Sequence, residues 1–277
     1  MHHVYWRRTR HCHANRTERY LMKKLFFTLE GDSNKPTIVL GHPLGMNSRV
    51  WDGVVPELLK QFRVIRWDLP GHGLSPALDS NSSPLTANAL VDPLIEKCDE
   101  LGIKQFHYVG TSIGGMIGQQ LVTQYPERLL SATLTNTGAK IGSKDAWLTR
   151  QQDVMALGLE SMAATLVLRW FSEHSVQTKP ALASYWQEQL THVDDFSYGA
   201  LCAWLGNMDL TDTLGPSSLP IQLICGEKDV ATTPELMGTL ASLLQVDKLE
   251  VINQIGHVPS VESPDQLTSL LKNFISQ

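Results

Sequence analysis

With 277 residues, 42% of them hydrophobic, the chain can bury a large core as one α/β unit with an insertion and needs no second domain. Its formal net charge of −5 gives no basic footprint for nucleic acid, and no run approaches the ~20 apolar residues of a membrane span, so an enzyme or binder for a small molecule is the expected class. The four cysteines, Cys12, Cys98, Cys202 and Cys225, show neither C-x-x-C pairing nor metal-like spacing; they read as reduced, buried thiols, with the cytoplasm as the expected compartment and no metal or organic cofactor.

Residues 1–21 differ from everything after them. They carry Arg7, Arg8, Arg10, Arg16 and Arg19 against the single acid Glu18, a net +4 that leaves −9 for the remainder. With no apolar h-region the segment is not a secretory signal. Met22-Lys23-Lys24 followed by Leu25-Phe26-Phe27 reads as a natural start, so 1–21 is expected to be a disordered, non-native extension, its histidines included.

From Leu25 the periodicity settles. An edge strand around Leu25 to Leu29 meets a turn at Gly31-Asp32-Ser33-Asn34, and Thr37 to Leu40 reads as a buried strand ending at Gly41-His42-Pro43-Leu44-Gly45. A helix is expected over 51–61, a strand over 62–68 closed by Leu69-Pro70-Gly71-His72-Gly73-Leu74-Ser75, a crossover helix over 85–101 and a strand over 105–110. Another strand follows at 129–136. Repeated strand-helix alternation predicts a mostly parallel sheet with helices on both faces. The alternation stops from about Ser143 to Leu210, where only helical patterns occur, with Trp147, Trp170, Phe171, Tyr185, Trp186, Phe196, Tyr198 and Trp204 among them; such a block reads as a lid inserted over an active site. The expected layout is therefore a core of 22–142 and 211–277 with a helical lid at 143–210. Strands resume at 220–226 and 248–252, with helices over 234–244 and 264–275.

Four stretches of this layout carry chemistry. Gly110-Thr111-Ser112-Ile113-Gly114-Gly115 lies between a strand and a helix, the setting of a G-x-S-x-G nucleophile elbow in which a strained turn lifts the serine out of the sheet. Ser112 then requires an oxyanion hole before it and an acid and a histidine after it, in that order. The Gly-flanked turn at 41–45 fits the first need, and the backbone N–H groups of Leu44 and Ile113 are the expected oxyanion donors. Gly226-Glu227-Lys228-Asp229 follows a strand, and Asp229, farther along the loop, is preferred as the acid over Glu227, which reads as a solvated turn residue. His257, in Gly256-His257-Val258-Pro259, comes last and is the expected general base. His72 sits upstream of the elbow, in the wrong order for a base, and reads as structural. Ser112, Asp229 and His257 thus complete a catalytic triad in which the serine needs a base within reach and the base needs a carboxylate to fix its tautomer.

These motifs resemble the α/β-hydrolase superfamily and, within it, the 3-oxoadipate enol-lactonases. The similarity runs from about Leu25 to Ser276. It includes His42-Pro43-Leu44-Gly45, Arg66-Trp67-Asp68 before Gly71-His72-Gly73, the elbow with Met116, Asn136-Thr137-Gly138-Ala139-Lys140-Ile141-Gly142 with Trp147 and Arg150, Cys202 followed by Met208-Asp209-Leu210, and the His257 segment. The resemblance implies an α/β-hydrolase fold and hydrolysis of a five-membered enol lactone bearing a free carboxymethyl group. The substrate carboxylate asks for a cation; Arg150, whose fork binds carboxylates bidentately, is the first candidate, with Trp147 beside it and Lys140 and Lys144 behind. In the family an arginine and an acid usually precede the Asp-Leu pair, whereas this chain has Trp204-Leu205-Gly206-Asn207-Met208, which leaves open another lactone, a small ester or a carbon-carbon bond of an aromatic-degradation product. Hydrolase folds also serve as receptors, so fold alone does not establish turnover.

Overall fold

The computed structural model describes residues 25–276; the extension expected at 1–21 lies outside the described residues. Seven strands, β1 (Phe27–Glu30), β2 (Thr37–Gly41), β3 (Arg63–Trp67), β4 (Phe106–Thr111), β5 (Leu129–Thr135), β6 (Ile221–Gly226) and β7 (Leu249–Ile252), form one sheet in the order β1-β3-β2-β4-β5-β6-β7. Only β1 runs antiparallel, against β3; every other pairing is parallel. The central strands are near-continuous apolar runs because helices cover both faces, and β2 is buried at all five positions.

The helices follow the chain as α1 (Val55–Leu58), α2 (Asp92–Glu100), α3 (Ile113–Gln124), α4 (Lys144–Leu157), α5 (Leu159–Val167), α6 (Glu173–Thr178), α7 (Ala181–Thr191), α8 (Asp195–Asn207), α9 (Pro234–Leu244), α10 (Pro259–Glu262) and α11 (Pro264–Ile275). Two are shorter than their sequence pattern predicts. The helix expected over 51–61 is a 3-10 turn at Ser48–Trp51 followed by α1 alone, because Gly53 interrupts it and Pro56 is tolerated only in a first helical turn. The crossover helix expected from Leu85 starts at Asp92, where Pro93 occupies the first turn.

The helices α4 to α8 form the insertion between β5 and β6. Side-chain caps begin three of them: Ser143, Ser172 and Asp194 accept from the amides of Ala146, Ser175 and Ser197. Trp147, Arg150 and Val154 recur at three- and four-residue spacing on α4 and so share one face. That face packs toward α8, which carries Tyr198 and Cys202 one turn apart.

Register aligns the carboxyl ends of the parallel strands. Gly41 pairs with Gly110, Thr111 with Thr135, Thr135 with Ile224, and Gly226 with Ile252, so the loops that follow these strands emerge along one edge. Ser112, Asn136, Asp229 and His257 all lie on those loops, where open parallel sheets place ligands.

Candidate active site

Ser112 occupies the turn from β4 into α3 with φ 59° and ψ −117°, a left-handed conformation costing of order 1–3 kcal/mol that the surroundings must enforce. They do so through backbone contact. A Cβ on Gly110 would lie 2.2 Å from Gly114 O, and one on Gly114 would lie 2.5 Å from Gly41 O. The Tyr108 hydroxyl donates to Gly114 O at 2.8 Å, and the Thr137 hydroxyl donates to Ser112 O at 2.8 Å. The Ser112 hydroxyl itself makes no hydrogen bond among the described residues and lines a cavity that also reaches His257.

Asp229 and His257 meet directly, with His257 Nδ1 2.8 Å from Asp229 Oδ2. That oxygen also accepts from Asn136 Nδ2 at 2.8 Å and Thr232 Oγ1 at 2.7 Å, while Oδ1 accepts from the amides of Ala231 at 2.7 Å and Thr232 at 3.1 Å. Burial pushes the Asp229 carboxyl up, but the His257 charge and the hydrogen bonds from His257, Asn136 and Thr232 outweigh it and hold the group below the usual carboxylate range. An ionised Asp229 accepts from Nδ1–H and leaves Nε2 as the acceptor nitrogen of a neutral imidazole. Glu227, by contrast, is exposed and accepts from the Gln254 amide as a turn residue.

Asn136, which the sequence marks only as the first residue of the segment 136–142, and Thr232, which it does not mark, both hold Asp229. Asn136 is fully buried at φ 46° and bridges Asp229 to Gly256 O at 3.1 Å. A further signal is the place of Asn136: it follows the last residue of β5 at the level where Ser112 follows the last residue of β4.

Two buried histidines build the 42–45 turn. His42 Nε2 accepts from the Leu69 amide at 2.9 Å and His72 Nε2 accepts from the Gly45 amide at 3.0 Å, while each Nδ1 faces a proline carbonyl. Accepting at Nε2 requires both rings to be neutral. Burial is the main cause, taking His72 down to about 3 with help from His42, and lowering His42 against the pull of Asp68. His72 is therefore structural, as its chain order predicts. The Leu44 amide donates no hydrogen bond among the described residues, and the Ile113 amide opens α3, where no intrahelical acceptor exists.

The cavity has a volume of about 160 Å³, below the ~300–1,000 Å³ of drug-sized ligand pockets. Leu44, Ser112 and His257 form one side; Trp147, Arg150, Arg169, Trp170 and Tyr198 come from the insertion. Three of the expected lid aromatics thus reach the cavity, whereas Trp204 turns away to donate to Thr86 O at 2.9 Å. The Arg150 guanidinium lies 5.6 Å from the Trp147 ring centre and beside the Tyr198 hydroxyl. Neither Arg150 nor Arg169 pairs with a carboxylate among the described residues. Arg169 went unremarked in the sequence because nothing local tells which way a surface arginine points. Lys140 is paired with Asp209 at 2.9 Å, and neither it nor Lys144 lines the cavity. No cluster of His, Cys, Asp and Glu suited to a metal ion occurs among the described residues, and no helix there is long and apolar enough to cross a membrane.

A mostly parallel sheet with an elbow serine and an Asp-His pair at its carboxyl edge defines a class, and residues 36–264 match the model of the alpha/beta hydrolase fold family. The chain belongs to that family. It is 29% identical over 253 residues to 3-oxoadipate enol-lactonase 1 of Acinetobacter baylyi, covering 91% of this chain and 93% of that protein. A pimeloyl-[acyl-carrier protein] methyl ester esterase of Aeromonas hydrophila is 28% identical over 252 residues, covering 87% and 95%. Among solved structures, the enol-lactonase from Burkholderia xenovorans superposes with a TM-score of 0.85 at 27% identity, covering 91% of this chain and 96% of that one. Family and relatives together support an ester hydrolase.

Proposed function

We propose that this hydrolase opens a small carboxylated enol lactone, 3-oxoadipate enol-lactone to 3-oxoadipate, through an acyl-enzyme. The observation carrying the proposal is one small cavity in which Ser112 and the Asp229-bound His257 share space with Arg150, a cation lacking a carboxylate partner among the described residues. Ser112 Oγ attacks the lactone carbonyl as His257 Nε2 takes its proton, and the Leu44 and Ile113 amides hold the resulting oxyanion. Collapse breaks the ring C–O bond. The leaving oxygen receives the proton from His257 and the enol tautomerises to a ketone. Water, deprotonated by His257, then attacks the acyl ester and releases Ser112 and a second carboxylate. Asp229 fixes the imidazole tautomer throughout and stabilises its protonated form.

On this reading the segment 143–210 is a lid whose α4 face selects the substrate: Arg150 takes the carboxylate and Trp147 backs the guanidinium. The core is 22–142 with 211–277, the compartment is cytoplasmic, and the reaction uses no cofactor. A second reading, an esterase acting on an acyl methyl ester, is favoured by the relative named for that activity. The small cavity and an Arg150 guanidinium with no carboxylate partner among the described residues favour the compact anionic lactone.

The test is the loss of ultraviolet absorbance when the purified protein meets the enol lactone. Multiple turnovers that vanish in Ser112→Ala are expected. Efficient hydrolysis of simple esters with none of the lactone would overturn the substrate assignment, and a single stoichiometric burst with p-nitrophenyl acetate would make the protein a binder.

A further inference from the structure

The stretch 256–258 belongs to no helix or strand, yet its backbone groups are held by buried partners. The Gly256 amide donates to Glu262 Oε2 at 2.9 Å, Gly256 O accepts from Asn136 at 3.1 Å, the His257 amide donates to Trp170 O at 2.8 Å, and the Val258 amide donates to Glu262 Oε1 at 3.1 Å. Glu262 Oε2 accepts a third amide, that of Ser172 in the insertion, at 2.9 Å. Glu262 is 5% exposed and has no cationic partner among the described residues. Its two oxygens are spent on three backbone N–H groups drawn from two chain segments 84 or more residues apart in sequence. A buried carboxylate is costly unless such donors satisfy it, and charge-assisted bonds of this kind are about twice as strong as neutral ones.

We propose that Glu262 is a positioning residue of the hydrolytic reaction: its carboxylate locks the 170–172 loop of the insertion and the His257 loop into one unit that aims the imidazole at Ser112. This rests on His257 being the general base. The two loops are in backbone contact. A Cβ on Gly256 would lie 2.7 Å from Ser172 N and 3.0 Å from Trp170 O, so nothing larger than glycine fits while the lock is closed. Lys179 adds a further tie from the insertion, its Nζ donating to Glu262 O at 2.9 Å and Val261 O at 3.3 Å. It follows that the 170–179 part of the insertion stays with the core when substrate enters.

The experiment measures Ser112 acylation by p-nitrophenyl acetate in rapid-mixing bursts, normalised to folded protein, for wild type, Ser112→Ala, Glu262→Gln, Glu262→Ala and Gly256→Ala. Glu262→Gln keeps the shape but offers one acceptor oxygen where the carboxylate has two. A misaimed base is expected to slow acylation about 10- to 10²-fold in both loop variants with KM for this neutral ester within twofold, and Glu262→Ala to fall further than Glu262→Gln. Wild-type acylation in a folded Glu262→Gln, beside an inactive Ser112→Ala, would sink the lock and leave the nucleophile assignment standing. Full activity in Ser112→Ala would sink both. Should the loop variants fail to fold, hydrogen exchange in the wild-type enzyme decides: the amides of Ser172, Gly256 and Val258 are expected to be protected together and to open together, and exchange at free-loop rates would overturn the proposal.

Discussion

Two halves of the cavity are built on opposite terms. On the sheet side every group in the proposed chemistry is pinned: Ser112 by crowded glycine backbones, Asp229 by five donors, and the 42–45 turn by two neutral imidazoles. On the insertion side Arg150 rests against the Trp147 ring and Arg169 is exposed, and neither has an ionic partner among the described residues. The contrast separates labour. On the proposed function, groups that must meet a transition state within a fraction of an ångström are over-determined, and groups that attract an anion are left unsatisfied until it arrives.

The sharpest way to break this division is Ser112→Ala. If the pinned half performs the bond making, kcat should fall by about 10⁶-fold, as in subtilisin, with the lactone's KM and the melting temperature little changed. Residual turnover within tenfold of wild type would move the chemistry elsewhere.

The next largest effect is on stability and comes from the same half. His72 and His42 are held below the ordinary value of 6.5 chiefly by burial, His72 at about 3, and His107 is lowered by burial as well. The unfolded chain takes up these protons as pH drops past about 6.5 while the folded chain refuses them, so stability is full above 6.5 and erodes toward 3, by about 1.4 kcal/mol per pH unit for each histidine still neutral in the fold. Asp229 adds its own loss only lower, below its unfolded value of 3.8. Melting temperatures measured from pH 8 to 4.5 should show this slope, and His72→Asn should flatten it; a flat wild-type profile would mean that the imidazoles are not held neutral.

Arg150→Ala probes the other half. Loss of a charge-assisted contact worth about 1.5–3 kcal/mol should raise KM for the carboxylated lactone about 10- to 10²-fold and leave p-nitrophenyl acetate kinetics unchanged. Equal loss on both substrates would show that Arg150 supports the fold instead of reading charge.

The same division explains what was legible beforehand. Seven strands, the elbow and the preference for Asp229 over Glu227 follow from local pattern and chain order, because strand periodicity and turn glycines are written within a few residues. Ala231 and Thr232 hold Asp229 from within its own loop, but other partners that hold the site are written far from it. Asn136 reaches Asp229 across 93 residues and Gly256 across 120, and Glu262 reaches Ser172 across 90. Those distances are bridged by strand register, which no local signal encodes. The overlong helix expected over 51–61 failed for a local reason, since Gly53 and Pro56 were outweighed by an apolar pattern that tertiary packing fills with two short turns instead.

Lys140 supplies the smallest effect and the finest test of the contrast. In the sequence it competes with Arg150 as the carboxylate's partner, standing in a segment that leads into the insertion. In the fold its ammonium is already spent on Asp209, whose carboxyl it helps bring down to about 2. Both side chains are about half exposed, so the pair is screened and contributes about 0–1 kcal/mol. A cation engaged outside the cavity cannot also recruit substrate. Lys140→Ala should therefore change KM for the lactone less than twofold and lower the melting temperature by a degree or two at most, measurable beside Arg150→Ala under identical salt. If instead KM rises as far as it does in Arg150→Ala, the rule that an unpaired guanidinium marks the anion subsite fails, and selection by charge extends beyond the cavity wall to its outer rim.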